Sequence, residues 1–149
     1  MTNQSPISPA PAGLAPLFEP PYFAVMFTSQ RTAGDAGYDA MADQMVALAA
    51  DQPGYLGAES VRDATGLGIT MSYWRSEADI AAWRRHGEHQ LARDRGRQAW
   101  YSHYTVRIAK VERAYGWCAA DGSADPANPL ATVQANGQTN GQTNGEVQP

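Results

Sequence analysis

A single cysteine, Cys118, among 149 residues excludes an intramolecular disulfide framework and fits a reducing compartment. No apolar run approaches the ~18 residues of a spanning helix, and the first residues lack the charged-then-apolar pattern of a secretory signal, so the expected address is the cytoplasm. Positive charge is also short. Eleven Lys and Arg oppose fifteen Asp and Glu, and because Glu19, Asp121, Asp125 and Glu146 lie near the termini, the stretch between balances at 11 against 11. A neutral domain lacks the basic surface that phosphate neutralisation requires, so neither nucleic acid nor an anionic membrane is an expected partner. Gly-x-Gly-x-x-Gly and Walker-type loops are missing as well, and with them any sign of a flavin, nicotinamide or nucleotide.

What is present is unevenly distributed. Six of the ten prolines crowd the first 21 residues, and beyond Cys118 the chain turns polar and ends in the repeat Asn136-Gly-Gln-Thr-Asn140-Gly-Gln-Thr-Asn144-Gly. On composition neither stretch buries enough apolar surface to offset its ordering entropy. The expectation is therefore a disordered tail over 1–21, one domain over 22–117 and a second disordered tail over 118–149.

Within the domain, Tyr22-Phe-Ala-Val-Met-Phe-Thr28 follows a Pro-Pro stop and reads as a buried strand. From about Asp35 the period changes. Tyr38, Met41, Ala42, Met45, Leu48 and Ala49 recur at helical spacing until Pro53-Gly54 ends the helix. Tyr55 to Arg62 and Leu67 to Trp74 read as a hairpin around Asp63-Ala-Thr-Gly66, with Gly66 as the left-handed turn residue. Ser76-Glu-Ala-Asp79 has capping-box spacing and opens a helical segment that runs to about Gln98, with a break near Gly87. In the last strand, Trp100 to Tyr115, Tyr104, Val106 and Ile108 share one face, and His103, Thr105, Arg107, Ala109 and Val111 the other. The order β-α-β-β-α-β is the α+β ferredoxin-like arrangement, an antiparallel sheet with helices on one face. The opposite face, apolar around Arg107, predicts a homodimer that buries it.

Several stretches carry a family likeness: Gln52-Pro-Gly-Tyr-Leu-Gly57, Ile69-Thr-Met-Ser-Tyr-Trp74, Trp83-Arg-Arg-His-Gly-Glu-His89, and Gly96-Arg-Gln-Ala-Trp-Tyr101 leading into Tyr104 to Gly116. With these the chain resembles the antibiotic biosynthesis monooxygenase domain proteins of the dimeric α/β-barrel fold, over Tyr22 to Trp117. The resemblance implies a pocket between the helices and the sheet of each subunit. It also implies one of two activities: cofactor-free oxygenation of aromatic polyketides or quinols, or oxygen-dependent degradation of bound haem. For haem the sequence departs from the pattern, since the position ten residues after the helix Trp is Arg93 and the first strand holds no Asn; His89, one turn earlier, is the alternative ligand.

Each candidate site residue has a structural reading beside the functional one. His89 is the candidate general base, because an unperturbed imidazole titrates near neutrality; otherwise it is a half-exposed helix histidine beside Glu88. His86 shares its helical stripe. As a metal site, His86, His89 and His103 lack the His-Glu-x-x-His pattern, and no metal is expected. Trp74, Trp83 and Trp100, with Tyr104, supply either core packing or a flat pocket for a planar ring. Arg97 and Arg107 stand out from a solvated arginine run as stabilisers of a bound anion, or as partners of an acid such as Glu112. The expected chemistry is deprotonation of a phenol or hydroquinone, direct reduction of O2 by the anion, and collapse of the peroxide to a quinone. It assigns His89 as base, Arg107 or Arg97 as anion stabiliser, Tyr104 as hydrogen-bond partner and the tryptophans as walls, with no cofactor but O2. A haem-binding or haem-degrading protein and a non-catalytic dimeric binder of small molecules are the alternatives.

Overall fold

Four strands form one antiparallel sheet in the order β2-β3-β1-β4. They are β1 (Tyr22–Arg31), β2 (Tyr55–Arg62), β3 (Leu67–Trp74) and β4 (Tyr101–Val111). A computed structural model of the chain describes residues 5–7, 10–34 and 37–116. The expected region beyond Cys118, with Trp117, lies outside the described residues. From Phe23 to Gln30 each β1 residue sits between a β3 and a β4 partner, for example Val25 between Ser72 and Ile108. One face of the sheet therefore carries Phe23, Val25, Phe27 and Ser29 with Trp74, Ser72, Thr70 and Gly68, and with Ile108, Val106 and Tyr104. The other carries Met26, Met71 and Arg107.

Helix α1 (Tyr38–Ala50) lays the predicted stripe of Tyr38, Met41, Ala42, Met45, Leu48 and Ala49 half-buried, while Asp39, Asp43 and Gln44 stay exposed. The hairpin turn forms through Asp63, whose Oδ1 accepts from Thr65 N, Thr65 Oγ1 and Leu67 N, with Gly66 at φ 89°. These bonds, that to the Thr65 hydroxyl first, hold the Asp63 carboxyl below its ordinary range.

The second helical segment is divided into α2 (Glu77–Arg85) and α3 (Gly87–Arg95) by His86, whose ψ of 130° is extended. At its start Ser76 Oγ accepts from Asp79 N and donates its own proton to Asp79 Oδ2 at 2.7 Å. The short Asp79 side chain thus takes the hydroxyl proton where a Glu would reach the cap residue's N–H. A five-residue π-helical turn, Gly96–Trp100, follows. It replaces the last helical turn and first strand residue expected from the sequence. Gly96 lets it form, because a Cβ there would meet the Tyr101 ring at 2.9 Å. The ferredoxin-like α+β reading is the observed fold. Among the described residues no helix is long and apolar enough to cross a membrane.

Part of the expected tail over 1–21 is packed against the sheet. Phe18 is 7% exposed and forms a buried cluster with Tyr22 and Leu56, against which Tyr73, Val111 and Ala114 pack. Ala15 N donates to Glu59 Oε2 at 3.0 Å, and the same carboxylate accepts from Tyr73 Oη at 2.7 Å. Composition averaged over a Pro-rich stretch hides one anchoring aromatic ring, whose burial offsets the ordering of its neighbours. The folded part thus begins before Tyr22.

Candidate functional site

On the helix-bearing face, β4 is incompletely covered. Val106 and Ile108 point to the side where the helices lie, yet they are 50% and 48% exposed. Aromatic groups stand at both ends of this apolar floor.

The first group is built on Trp74 and Trp83. Trp74 is 1% exposed, stacks with Trp83 at 6.3 Å, meets Tyr55 edge-on and donates Nε1–H to Ser72 Oγ at 2.9 Å. A ring enclosed on this scale backs the site and offers no free wall. Trp83 is only half-buried. His86 and His89 lie against it at 5.5 and 4.6 Å between ring centroids, the first from its place three residues on, the second across the helix break at His86.

His89 differs from its sequence assignment. Burial, then the charges of Arg93, His86 and Arg84, depress its pKa to about 4, so it is neutral at physiological pH and a weak base. The Nδ1 atoms of His86 and His89 are both buried and have no hydrogen-bond partner among the described residues. A buried N–H without an acceptor is rarer than a buried lone pair without a donor, so the proton of His89 belongs on Nε2. No carboxylate or carbonyl holds the opposite tautomer in place, as a histidine acting as base through Nε2 requires. His89 therefore presents an N–H donor, and a spacing argument could not show that.

The second group surrounds Tyr104. Its hydroxyl accepts from Arg97 Nε at 2.8 Å, and its ring lies 5.4 Å from Phe27 and 6.2 Å from Tyr101. With its oxygen engaged by a guanidinium, Tyr104 directs its own O–H elsewhere, and the same bond raises the Arg97 pKa. Trp100, 4% exposed beneath Tyr38, is core and cannot bind a ligand. Trp74 shares its row with Phe23, and Tyr104 pairs with Ser29. These rows are six residues apart on β1, so roughly 20 Å of strand separates them at ~3.3 Å per residue.

Arg107 belongs to neither group. It pairs with Met26 on the opposite face, is exposed, and donates to Thr105 Oγ1 at 3.1 Å. As read from the strand alternation, Arg107 and its neighbours Val106 and Ile108 point to opposite sides.

The sequence reading missed a further cluster. Arg62 donates to Ser29 O, Ser29 Oγ, Gly66 O and Tyr38 Oη, and Arg31 lies 3.7 Å over the Tyr38 ring. Ser29, 1% exposed, is the one polar residue fully buried among the described residues. Burial first, then a hydrogen bond with Tyr38, raises the pKa of Tyr101. The signal in the sequence was Gly68, whose missing Cβ makes room for the Arg62 guanidinium at 2.5 Å.

Neither metal nor haem gains support from this arrangement. Among the described residues no group of three His, Cys, Asp or Glu could hold a metal ion. Arg93, at the position expected for a haem ligand, donates Nη1–H to Arg84 O at 3.0 Å.

The class defined by the fold is a ferredoxin-like α+β domain, here with Val106 and Ile108 left as an exposed apolar floor on the helix face of its sheet. The chain belongs to the antibiotic biosynthesis monooxygenase family, whose sequence profile matches residues 23–95. It is 58% identical over 95 residues to the uncharacterised protein YqjZ of Bacillus subtilis, covering 64% of this chain and 83% of that one. Its fold is similar to that of SnoaB, a cofactor-independent oxygenase from Streptomyces nogalater, with a TM-score of 0.56, 10% identity, and coverage of 64% of this chain and 97% of that one. It is also similar to Rv0793 from Mycobacterium tuberculosis, with a TM-score of 0.55, 16% identity, and coverage of 62% and 98%. At these identities the two solved structures speak for the fold alone.

Proposed function

We propose that this protein is a cofactor-independent monooxygenase acting on a flat phenolic or quinol-type aromatic molecule, with O2 as co-substrate. The observation that carries the reading is the exposed floor of Val106 and Ile108 on the helix face, flanked by Trp83 and His89 at one end and Tyr104 at the other. A flat ring stacks on aromatic walls and covers apolar floor, and a few polar donors orient it. Family membership supports oxygen chemistry, and the shared fold of SnoaB, itself a cofactor-independent oxygenase, supports a cofactor-free route.

The chemistry balances without a cofactor. The phenol loses its proton to solvent, helped by the positive field of Arg84 and Arg93, which adds to the burial that keeps His89 neutral. The electron-rich ring carbon passes an electron to O2, and recombination forms the C–O bond of a peroxide. Loss of the ring proton from that carbon breaks the O–O bond. One oxygen atom stays as the quinone carbonyl, the other leaves as water, and the substrate supplies all four electrons. In this scheme His89 Nε2–H donates to the developing anion and the exposed part of Trp83 borders the ring, while Tyr104, held by Arg97, closes the far end of the floor. Arg107, Trp74 and Trp100 have no contact role.

A cytoplasmic homodimer is part of the same reading. Val61, 70% exposed, with Leu67 and Ile69, lies exposed on the face opposite the helices, where a second copy would cover it.

The test is oxygen uptake by the full chain over a panel of hydroxynaphthalenes and anthrone-type phenols, with heavy-oxygen O2 used to label the product. Uptake above the uncatalysed rate with one labelled atom in the quinone is expected, falling by about tenfold or more in Trp83→Ala. Background uptake with every compound would refute the reading.

A further inference from the structure

The charges that bear on His89, whose ring lies 4.6 Å from that of Trp83, are of one sign. His89 is surrounded by Arg93, His86 and Arg84, and no carboxylate opposes their effect on it. The nearby acids are engaged elsewhere: Glu88 accepts from Gln44 Nε2 on α1 at 2.7 Å, and Asp79 is held by Ser76 at the start of α2. Arg93 is fixed by its bond to the Arg84 carbonyl across the break at His86, which ties two guanidinium-bearing segments together next to His89. His89 and His86, each enclosed at Nδ1, have only their outer nitrogens left to meet a ligand. An uncharged aromatic ligand uses none of this. Cations grouped without a counter-charge beside a stacking ring favour a ligand that brings the missing charge.

From this geometry we infer that the cleft selects an aromatic acid: a flat ring that is already anionic when it binds, with its negative charge placed toward Arg84 and Arg93 and its ring on Trp83. The inference deepens the proposed function by naming the substrate class, and it rests on the same cleft being the substrate site. Charge selection of this kind acts on binding before any oxygen chemistry. It therefore separates compounds of equal size and shape by charge alone.

The experiment is isothermal titration calorimetry of the full chain under nitrogen, so that turnover plays no part. The probes are naphthoate, its neutral isostere naphthamide, and dinitronaphtholate as an ionised phenol. Naphthoate is expected to bind about tenfold or more tighter than naphthamide, the preference shrinking as salt is raised. Arg84→Gln, which leaves the Arg84 carbonyl and its bond to Arg93 in place, should remove a large part of that preference, and the Arg84→Gln, Arg93→Gln pair most of it. Arg95→Gln, an equal change in net charge at an exposed position of α3, should keep the preference intact. Tight binding of dinitronaphtholate with weak binding of naphthoate would narrow the class to ionised phenols and leave charge selection standing. Equal binding of naphthoate and naphthamide would overturn the inference, as would a preference that survives the double variant or is lost equally in Arg95→Gln. Because no oxygen is present, a charge preference together with a lack of oxygen uptake would sink the oxygenase reading alone.

Discussion

The neutrality of His89 can be measured directly, and the structure sets both its sign and its size. Its pKa falls from 6.5 in a free side chain to about 4 here, so between those values the unfolded chain binds a proton that the folded chain refuses. Stability rises with pH wherever the unfolded state binds more protons. The contribution of His89 is therefore complete above about pH 6.5 and is lost as pH falls toward 4. At about 1.36 kcal/mol per pH unit the ceiling is ~3 kcal/mol. His89 is only half-buried, and solvent screening brings the expected loss to about 1–2 kcal/mol. The assay pairs urea unfolding across this range with NMR of the imidazole Hε1 resonances, comparing the wild type with His89→Gln to remove the contribution of the carboxylates. The His89 resonance should stay in its neutral position down to about pH 5, and the variant should lose less stability on acidification. A resonance titrating at or above 6.5, or identical acid sensitivity in the variant, would refute the reasoning and restore His89 as a candidate base.

Two further substitutions test the fold around the cleft. Gly68→Ala places a methyl group against the Arg62 guanidinium, which must withdraw from Ser29 and Tyr38; chemical denaturation should show a loss of about 1–3 kcal/mol, and Arg62→Ala should add little in that background. Phe18→Ala should cost about 3–5 kcal/mol if the segment before Tyr22 is part of the core, whereas a trailing tail would leave the unfolding midpoint unmoved.

Features that repeat along the chain were readable before any coordinates. The helical period from Tyr38 to Ala49, the Asp63–Gly66 turn and the Ser76 cap each depend on neighbours within a few residues, so the local sequence contains their cause. The ferredoxin-like order followed from them. The helix break was legible at Gly87, one residue from its actual place at His86. The start of the fold was not legible, because Phe18 owes its burial to Leu56 and Tyr73, residues distant in sequence.

The site divides in the same way. That Trp83 and His86 come together is a property of one helical stretch and its three-residue spacing, which the sequence determined alone, whereas His89 reaches Trp83 across the break at His86. Only the tertiary structure decided how deeply each tryptophan is enclosed: Trp74 and Trp100 are buried against Tyr55 and Tyr38 from other elements, while Trp83 stays partly exposed. It also decided that Arg107 stands across the sheet from the cleft and that His89 is a neutral donor. Burial, tautomer and pKa are set by every group that surrounds a side chain, and most of those groups reach it from elsewhere in the chain.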